Sequence, residues 1–312
     1  MLRSLGEDIV DEAFDDLFAQ GVPSSKAERV LRRFSQRWRD YTRAALMVMS
    51  CKAVGGVPEH VRPAAKALVL SGGAFDLHDD IIDRSFERRK NRRKSIQGLY
   101  GMEATLLAGD ALLIGGLVLL AEMPGVPPER ARRSVSEIRR GLFELGSAEM
   151  DELALVRDLG STPRRYLRIV HMKASDVEAY TKVGAILGGG SEEEIDALGR
   201  YGRHLGEVCI LRDDLEDTFN DAWELRSRIS RESLPLPIVY SLGDSRCRSL
   251  LRGMFSKSPE DISEDELDRL IEVIDANRGF EKGQDLIDRH VRKAKVEARR
   301  LDDPEPFLAL FH

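Results

Sequence analysis

Two short acidic runs carry the most chemistry in this chain: His78-Asp79-Asp80-Ile81-Ile82-Asp83 and Leu211-Arg212-Asp213-Asp214-Leu215-Glu216-Asp217. In each, two aspartates stand side by side and a third follows. Asp79 and Asp83, like Asp213 and Asp217, are four residues apart and share a face if the segment is helical. Asp221 extends the second run by a further step of four. Like charges at this spacing cost an isolated helix about 0.2–0.5 kcal/mol per pair, so a compensating cation is expected. Hard carboxylate oxygens suit Mg²⁺, which keeps several waters and completes its shell with one or two carboxylates and substrate phosphates. Such ions would neutralise charge developing on a departing diphosphate. One such run in an acidic chain reads as readily as a solvated helix end. Two, each closing a long apolar segment, point to metal. Carboxylate-bridged di-iron bundles need Glu-x-x-His pairs, and the sequence has none.

The elements that must position these residues are helices. Apolar residues recur at three- and four-residue spacing through Ile9–Phe18, Ala44–Val54, Ala64–Leu77, Ala104–Leu120, Val135–Leu145, Tyr166–Leu187, Ile195–Leu215, Pro237–Leu242 and Leu267–Val273. Gly55-Gly56, Pro124 to Pro128, Gly188 to Gly190 and Ser258-Pro259 punctuate them, and strand-like alternation is scarce. The glycine run at 188–190 has no strand before it, so it reads as a helix stop rather than a phosphate cradle. Ser191 is expected as the next N-cap, with Glu194 in the capping-box position. The two acidic clusters are expected to face each other across one cavity of an all-α bundle.

Composition sets the outer bounds. The chain has 312 residues, 42% hydrophobic and 33% charged, with a formal charge of −6, which suits a folded globular protein without general attraction to nucleic acid. No composition shift or repeat divides it. Cys51, Cys209 and Cys247 have no metal-ligand spacing, and an odd count argues against a disulfide framework. The N-terminal residues lack a signal-peptide core, and the unbroken apolar stretch Ala111–Ala121 is too short for a transmembrane segment. A cytoplasmic location is expected.

These motifs resemble the trans-isoprenyl diphosphate synthases, or polyprenyl synthetases. Leu77 through Asp83 looks like the family's first aspartate-rich motif, Arg88-Arg89 like the arginine pair after it, and Leu107-Ala-Gly-Asp-Ala-Leu-Leu113 like the helix that follows. Tyr166 through Lys173 resembles the lysine-bearing segment, Gly184 through Gly189 the turn beyond it, and Gly206 through Asp217 the second motif. The resemblance implies a single-domain isoprenoid synthase-type helical bundle with a central cavity over residues 1–312. It implies three Mg²⁺ ions on Asp79, Asp80, Asp83, Asp213, Asp214 and Asp217, and substrate contacts from Arg43, Arg88, Arg89 and Lys173. A homodimer, or a heteromer with a paralogue, follows from the same likeness.

The departures from the family pattern are specific. Its early lysine falls at Asp40 in Arg39-Asp40-Tyr41-Thr42-Arg43-Ala44, its histidine after the arginine pair at about Gln97, and its Lys-Thr pair at Lys173-Ala174. Cys209-Ile210 replaces Phe-Gln before the second motif, and only Arg226 or Arg228 stands for the lysine beyond it. Lys90, Arg92, Arg93 and Lys94 add positive charge after the first motif, although the run also reads as a solvated loop. Phe75, one turn before Asp79, resembles a floor that stops chain growth at about fifteen to twenty carbons, or else an ordinary core aromatic. Lys173 alternatively snorkels to the surface. His78, His171 and His204 read as structural, and Cys209 as core.

The leading expectation is a prenyltransferase condensing an allylic diphosphate with isopentenyl diphosphate. A class I terpene cyclase-like activity that needs no isopentenyl diphosphate stands beside it, as does a non-catalytic diphosphate-binding subunit that regulates an active paralogue.

Overall fold

A computed structural model describes residues 1–88 and 93–311, with the side chains of residues 87, 88 and 93 left aside. The chain forms two compact units: residues 1–138, 179–199 and 300–306, and residues 139–178, 200–299 and 307–312. Among the described residues nearly all regular structure is helical. The elements in order are α1 (Leu2–Ala19), α2 (Ser25–Ser35), α3 (Thr42–Ala53), α4 (Arg62–Ile82), the paired strands β1 (Glu87–Arg88) and β2 (Arg93–Lys94), α5 (Ile96–Tyr100), α6 (Met102–Glu122) and α7 (Pro128–Leu153). After these come α8 (Pro163–Lys173), α9 (Ser175–Gly188), α10 (Glu192–Phe219), α11 (Ala222–Arg231), α12 (Leu236–Ser241), α13 (Ser245–Met254), α14 (Glu264–Ala276), α15 (Gly279–Ala298) and α16 (Glu305–Leu308). β1 and β2 form an antiparallel ladder with Glu87 opposite Lys94 and Arg88 opposite Arg93.

In the first unit α4 packs most extensively on α6, with α1 and α3 against α4. Two glycines permit the close approach. A Cβ at Gly116 on α6 would lie 2.7 Å from Ala67 O and from Ser71 Oγ on α4, and one at Gly72 on α4 would lie 2.6 Å from Arg43 Nε. Phe14, Phe34 and Trp38 form an aromatic cluster with ring centroids 5.8 to 6.2 Å apart, which adds stabilisation beyond burial alone. Trp38 Nε1 donates to Asp76 Oδ2 at 2.5 Å, tying the cluster to α4 one helical turn before Asp80.

The periodic segment Tyr166–Leu187 is two helices, broken at Ala174. Gly188–Gly190 stops α9 as expected. Gly189 takes φ +87°, and the N–H groups of Gly190 and Gly189 donate to Ala185 O and Ile186 O, a Schellman closure. Ser191 and Glu194 form the expected reciprocal cap: Glu194 Oε2 accepts from Ser191 N at 2.7 Å, and Ser191 Oγ from Glu194 N at 3.3 Å. In the second unit α12 packs on α8 and α15, and α14 on α13 and α15. Buried Tyr201 anchors α10 there, its hydroxyl donating to Phe307 O at 2.8 Å.

Candidate functional site

The first acidic cluster sits on the last turn of α4. Asp83 is the C-cap, Arg84 takes a left-handed φ of 54°, and Ser85 N donates to Asp80 O at 2.8 Å, closing the helix without a glycine. Asp79 is exposed, Asp83 half-buried and Asp80 buried. No basic residue lies in this turn, so the carboxylates add to the negative end of the helix dipole. His78 Nε2 lies 3.4 Å from Asp110 Oδ1 on α6, and Gly109 leaves room for its ring.

Arg43, expected to bind substrate, is held within the first unit. Asp40 pairs with its Nη1, Asp76 lies 3.8 Å from its Nη2, and its Nε donates to Tyr180 Oη at 3.1 Å. Asp40 also accepts from Thr42 N at 2.7 Å, an Asx-type turn that leads into α3, while neutralising Arg43. Trp38, Arg39, Asp40, Asp76, Lys94 and Ser95 are among the residues lining a cavity of about 560 Å³. Beside it, Gln97 is buried, and its Oε1 has no hydrogen-bond partner among the described residues.

The second cluster occupies the last two turns of α10, again without a basic residue in the final turn. Asp213 is exposed, while Asp214 and Asp217 are buried. Asp214 accepts from Tyr166 Oη at 2.7 and 2.9 Å, from Arg228 Nη2 at 2.8 Å and from Leu236 N at 3.1 Å. Expected as a metal ligand, it has both oxygens engaged by protein donors. Burial pushes its carboxyl pKa up against the pull of Arg228, Tyr166 and Leu236 N–H. Burial next to Asp214 raises the Tyr166 phenol well above its usual range, so it stays a neutral donor. Arg228 Nη1 also lies 3.7 Å from Asp217 and 3.6 Å from Glu232. Its charge therefore serves these carboxylates from inside the unit.

Arg226, the other candidate beyond the second motif, donates from Nε to Ile262 O at 2.8 Å. Lys173 is gripped by Glu152 at 2.6 Å and Glu149 at 3.1 Å. Burial pushes the Glu149 carboxyl up. At Glu152 burial acts the same way, but Lys173 and the Ser233 hydroxyl outweigh it and hold that carboxyl down. Phe75 is half-buried on α4. Arg89, Lys90 and Arg92 lie outside the described residues, and for Arg88 and Arg93 only the backbone strands are described.

One expectation is corrected. Cys209 is exposed rather than core, because its position on α10 turns outward between buried Val208 and Leu211. His171 and His204 share a partner. Together with His290 on α15 they surround buried Glu207, a residue the sequence reading passed over. Burial favours the neutral Glu207 acid, yet hydrogen bonds from the three histidines hold its pKa far below the usual carboxylate range. A His204-x-x-Glu207 step on one helix face was the available signal, but nothing local pointed to His171 or His290.

A family model described as polyprenyl synthetase matches residues 29–274. The chain belongs to that family. It is 30% identical over 226 residues to a geranylgeranyl diphosphate synthase of Methanosarcina mazei, covering 70% of this chain and 68% of that one. It is 29% identical over 273 residues to a (2E,6E)-farnesyl diphosphate synthase of Mycobacterium bovis, covering 84% and 74%. The fold matches a geranylgeranyl pyrophosphate synthetase of Pyrococcus horikoshii with a TM-score of 0.85 at 22% identity, over 99% of this chain and 96% of that one.

Proposed function

We propose that the chain is a prenyltransferase that joins isopentenyl diphosphate to an allylic diphosphate, giving a short prenyl diphosphate of about fifteen to twenty carbons. Family membership and relatives named as geranylgeranyl and farnesyl diphosphate synthases support the reading. The observation that carries it is a cluster of aspartates at the C-terminal end of each of two long helices, with no basic residue in either last turn. This all-oxygen donor set fits Mg²⁺. Asp79, Asp80, Asp83, Asp213 and Asp217 would hold the ions, while Asp214, saturated by Tyr166, Arg228 and Leu236 N–H, holds the end of α10 in place. Bound Mg²⁺ would supply neutralisation of the leaving diphosphate.

The side chains have distinct tasks in this reading. Lys173, poised on Glu149 and Glu152, meets the allylic diphosphate, and Arg88 and Arg89 meet the second diphosphate. The double bond of isopentenyl diphosphate attacks C1 of the allylic cation, and the proton lost afterwards leaves with the departing diphosphate, so no side-chain nucleophile is required. Phe75 limits product length. The exposed apolar stripe of α6, with Leu107, Ile114 and Leu117, suits a second copy of this chain. α6 is also, by length and composition, apolar enough to cross a membrane, although Ala108, Leu112 and Leu120 are buried in the first unit and Asp110 lies midway. A cytoplasmic enzyme is the reading proposed.

The Asp40–Arg43 pair favours a second reading in which the allylic diphosphate ionises without condensation. Incubation with Mg²⁺ and allylic diphosphates of increasing length, each with and without isopentenyl diphosphate, separates the two. Elongated products that require isopentenyl diphosphate support the transferase. Diphosphate release with cyclic hydrocarbons or alcohols alone supports the cyclase-like reading, and no turnover under any condition leaves a regulatory subunit.

A further inference from the structure

Three of the six histidines in the chain gather on one buried carboxylate. His204 and Glu207 stand three residues apart on α10, His290 comes from α15 and His171 from α8. Glu207 Oε2 lies 2.8 Å from His204 Nδ1 and 2.5 Å from His290 Nδ1, while Oε1 lies 2.7 Å from His171 Nδ1. One ligand atom each from His204, Glu207 and His290 falls within 4.8 Å of the others.

The two imidazole nitrogens are 3.3 Å apart and converge on the same oxygen. Tetrahedral Zn²⁺ with bonds of about 2.0–2.1 Å has ligand-to-ligand edges of about 3.3–3.4 Å, so this pair already has that spacing. The contacts to Glu207 Oε2 are hydrogen-bond lengths and would open by about half an ångström or more around an ion. His204 and His290 are mostly buried, whereas the His171 side chain is 56% exposed and leaves a path to solvent. The nearby cation, Arg203, is already neutralised by Glu144 and Glu178, at 2.9 and 2.6 Å.

We propose that His204, His290 and Glu207 form a Zn²⁺ site, with His171 orienting Glu207 through its other oxygen and water completing the shell. Imidazole donors beside the carboxylate select a transition metal rather than Mg²⁺, so the site is chemically distinct from the aspartate clusters. The ion clamps α15 to α10, and the His171 hydrogen bond ties α8 to the same carboxylate. Glu207 lies two turns before Asp214 on α10, so the clamp fixes the helix that carries the second cluster. This inference stands whether or not the prenyltransferase reading does, because its readout is metal binding.

The test uses the tag-free full chain, stripped with chelator and kept in millimolar Mg²⁺ so that the aspartate clusters are occupied. Zn²⁺ is titrated against a chromophoric chelator, and Co²⁺ is followed by visible absorption. One equivalent of Zn²⁺, a four- or five-coordinate Co²⁺ spectrum and a melting temperature raised by several degrees are expected. His204→Asn and His290→Asn should each weaken Zn²⁺ binding by about a hundredfold, and His171→Asn by about tenfold. Glu207→Gln tests the same ligand, and the histidine variants decide the matter if it does not fold. Absence of stoichiometric Zn²⁺ binding overturns the proposal. So does Zn²⁺ that survives the His204→Asn/His290→Asn double variant but is lost in Asp79→Asn or Asp213→Asn.

Discussion

The hydroxyl of Tyr166 on α8 reaches both carboxylate oxygens of Asp214 on α10, at 2.9 and 2.7 Å, in a fully buried setting shared with Arg228. One aspartate of the second cluster is thus turned inward while Asp213, its neighbour, faces solvent. The two should behave differently. Asp214→Ala leaves Arg228 as a buried cation stripped of its closest partner and should cost about 3–5 kcal/mol. Asp213→Ala should leave stability nearly unchanged and abolish turnover. Urea melts beside turnover assays check this, and equal stability losses at the two positions would refute the division of roles.

Asp40 occupies the Arg43 guanidinium. Asp40→Asn keeps a side-chain acceptor for Thr42 N but removes the charge, so Arg43 becomes available to an anion. Isopentenyl diphosphate should then bind about tenfold more tightly, equivalent to about 1.4 kcal/mol. Isothermal titration measures it. An unchanged affinity would show that Arg43 does not face that substrate.

Phe75 lies one helical turn before Asp79 on α4. Phe75→Ala should lengthen the products while leaving the initial rate of diphosphate release within about twofold, since no metal ligand is touched. Mass spectrometry of the products decides it, and identical chain lengths from a folded variant would place the floor elsewhere.

The cysteines should differ sharply in reactivity. Burial pushes the Cys51 thiol up to about 11 and the Cys247 thiol up to about 12, whereas Cys209 is exposed. A thiol reagent at neutral pH should modify Cys209 alone in the native protein and all three cysteines in denaturant. Rapid native labelling of Cys51 or Cys247 would contradict the packing described.

Ser263 and Glu266 form a capping box at the start of α14, and Lys257 pairs with Glu266 at 2.7 Å. Ser263→Ala should cost about 1 kcal/mol. Hydrogen bonds from Lys257 and from Ser263 N–H hold the Glu266 pKa at about 2, against an ordinary value of 4.5. Because the folded value is the lower one, this contribution is complete above about pH 4.5 and is lost as pH falls toward 2. Glu266→Gln should therefore flatten the stability profile across that window, by less than about 1 kcal/mol at this partly exposed pair. An unaltered acid limb would show that the cap carries no ionic component.

The sequence by itself determined the helical character of the chain, most element positions and the two aspartate clusters. Periodicity and capping are local, and Asp79/Asp83 and Asp213/Asp217 obtain their shared faces from helix geometry alone. It missed the short α5 and α16, and also α2, α11, α13 and α15, where charged residues dilute the apolar stripe; in α15 Phe280, Leu286 and Ile287 are buried among many acids and bases. It also ran α8 and α9 together, because no glycine or proline marks the break at Ala174.

Only the tertiary structure decided which charges are committed. Asp214 and Arg228 are close enough in sequence to be guessed as partners, but Tyr166 and Leu236 N–H come from other elements, and the pairing of Lys173 with Glu149 and Glu152 depends on how α7 and α8 pack. The gathering of His171, His204 and His290 on Glu207 is the clearest case. Hydrogen bonds and ion pairs act over about 3–4 Å, so residues distant along the chain meet only once folding has brought their helices together.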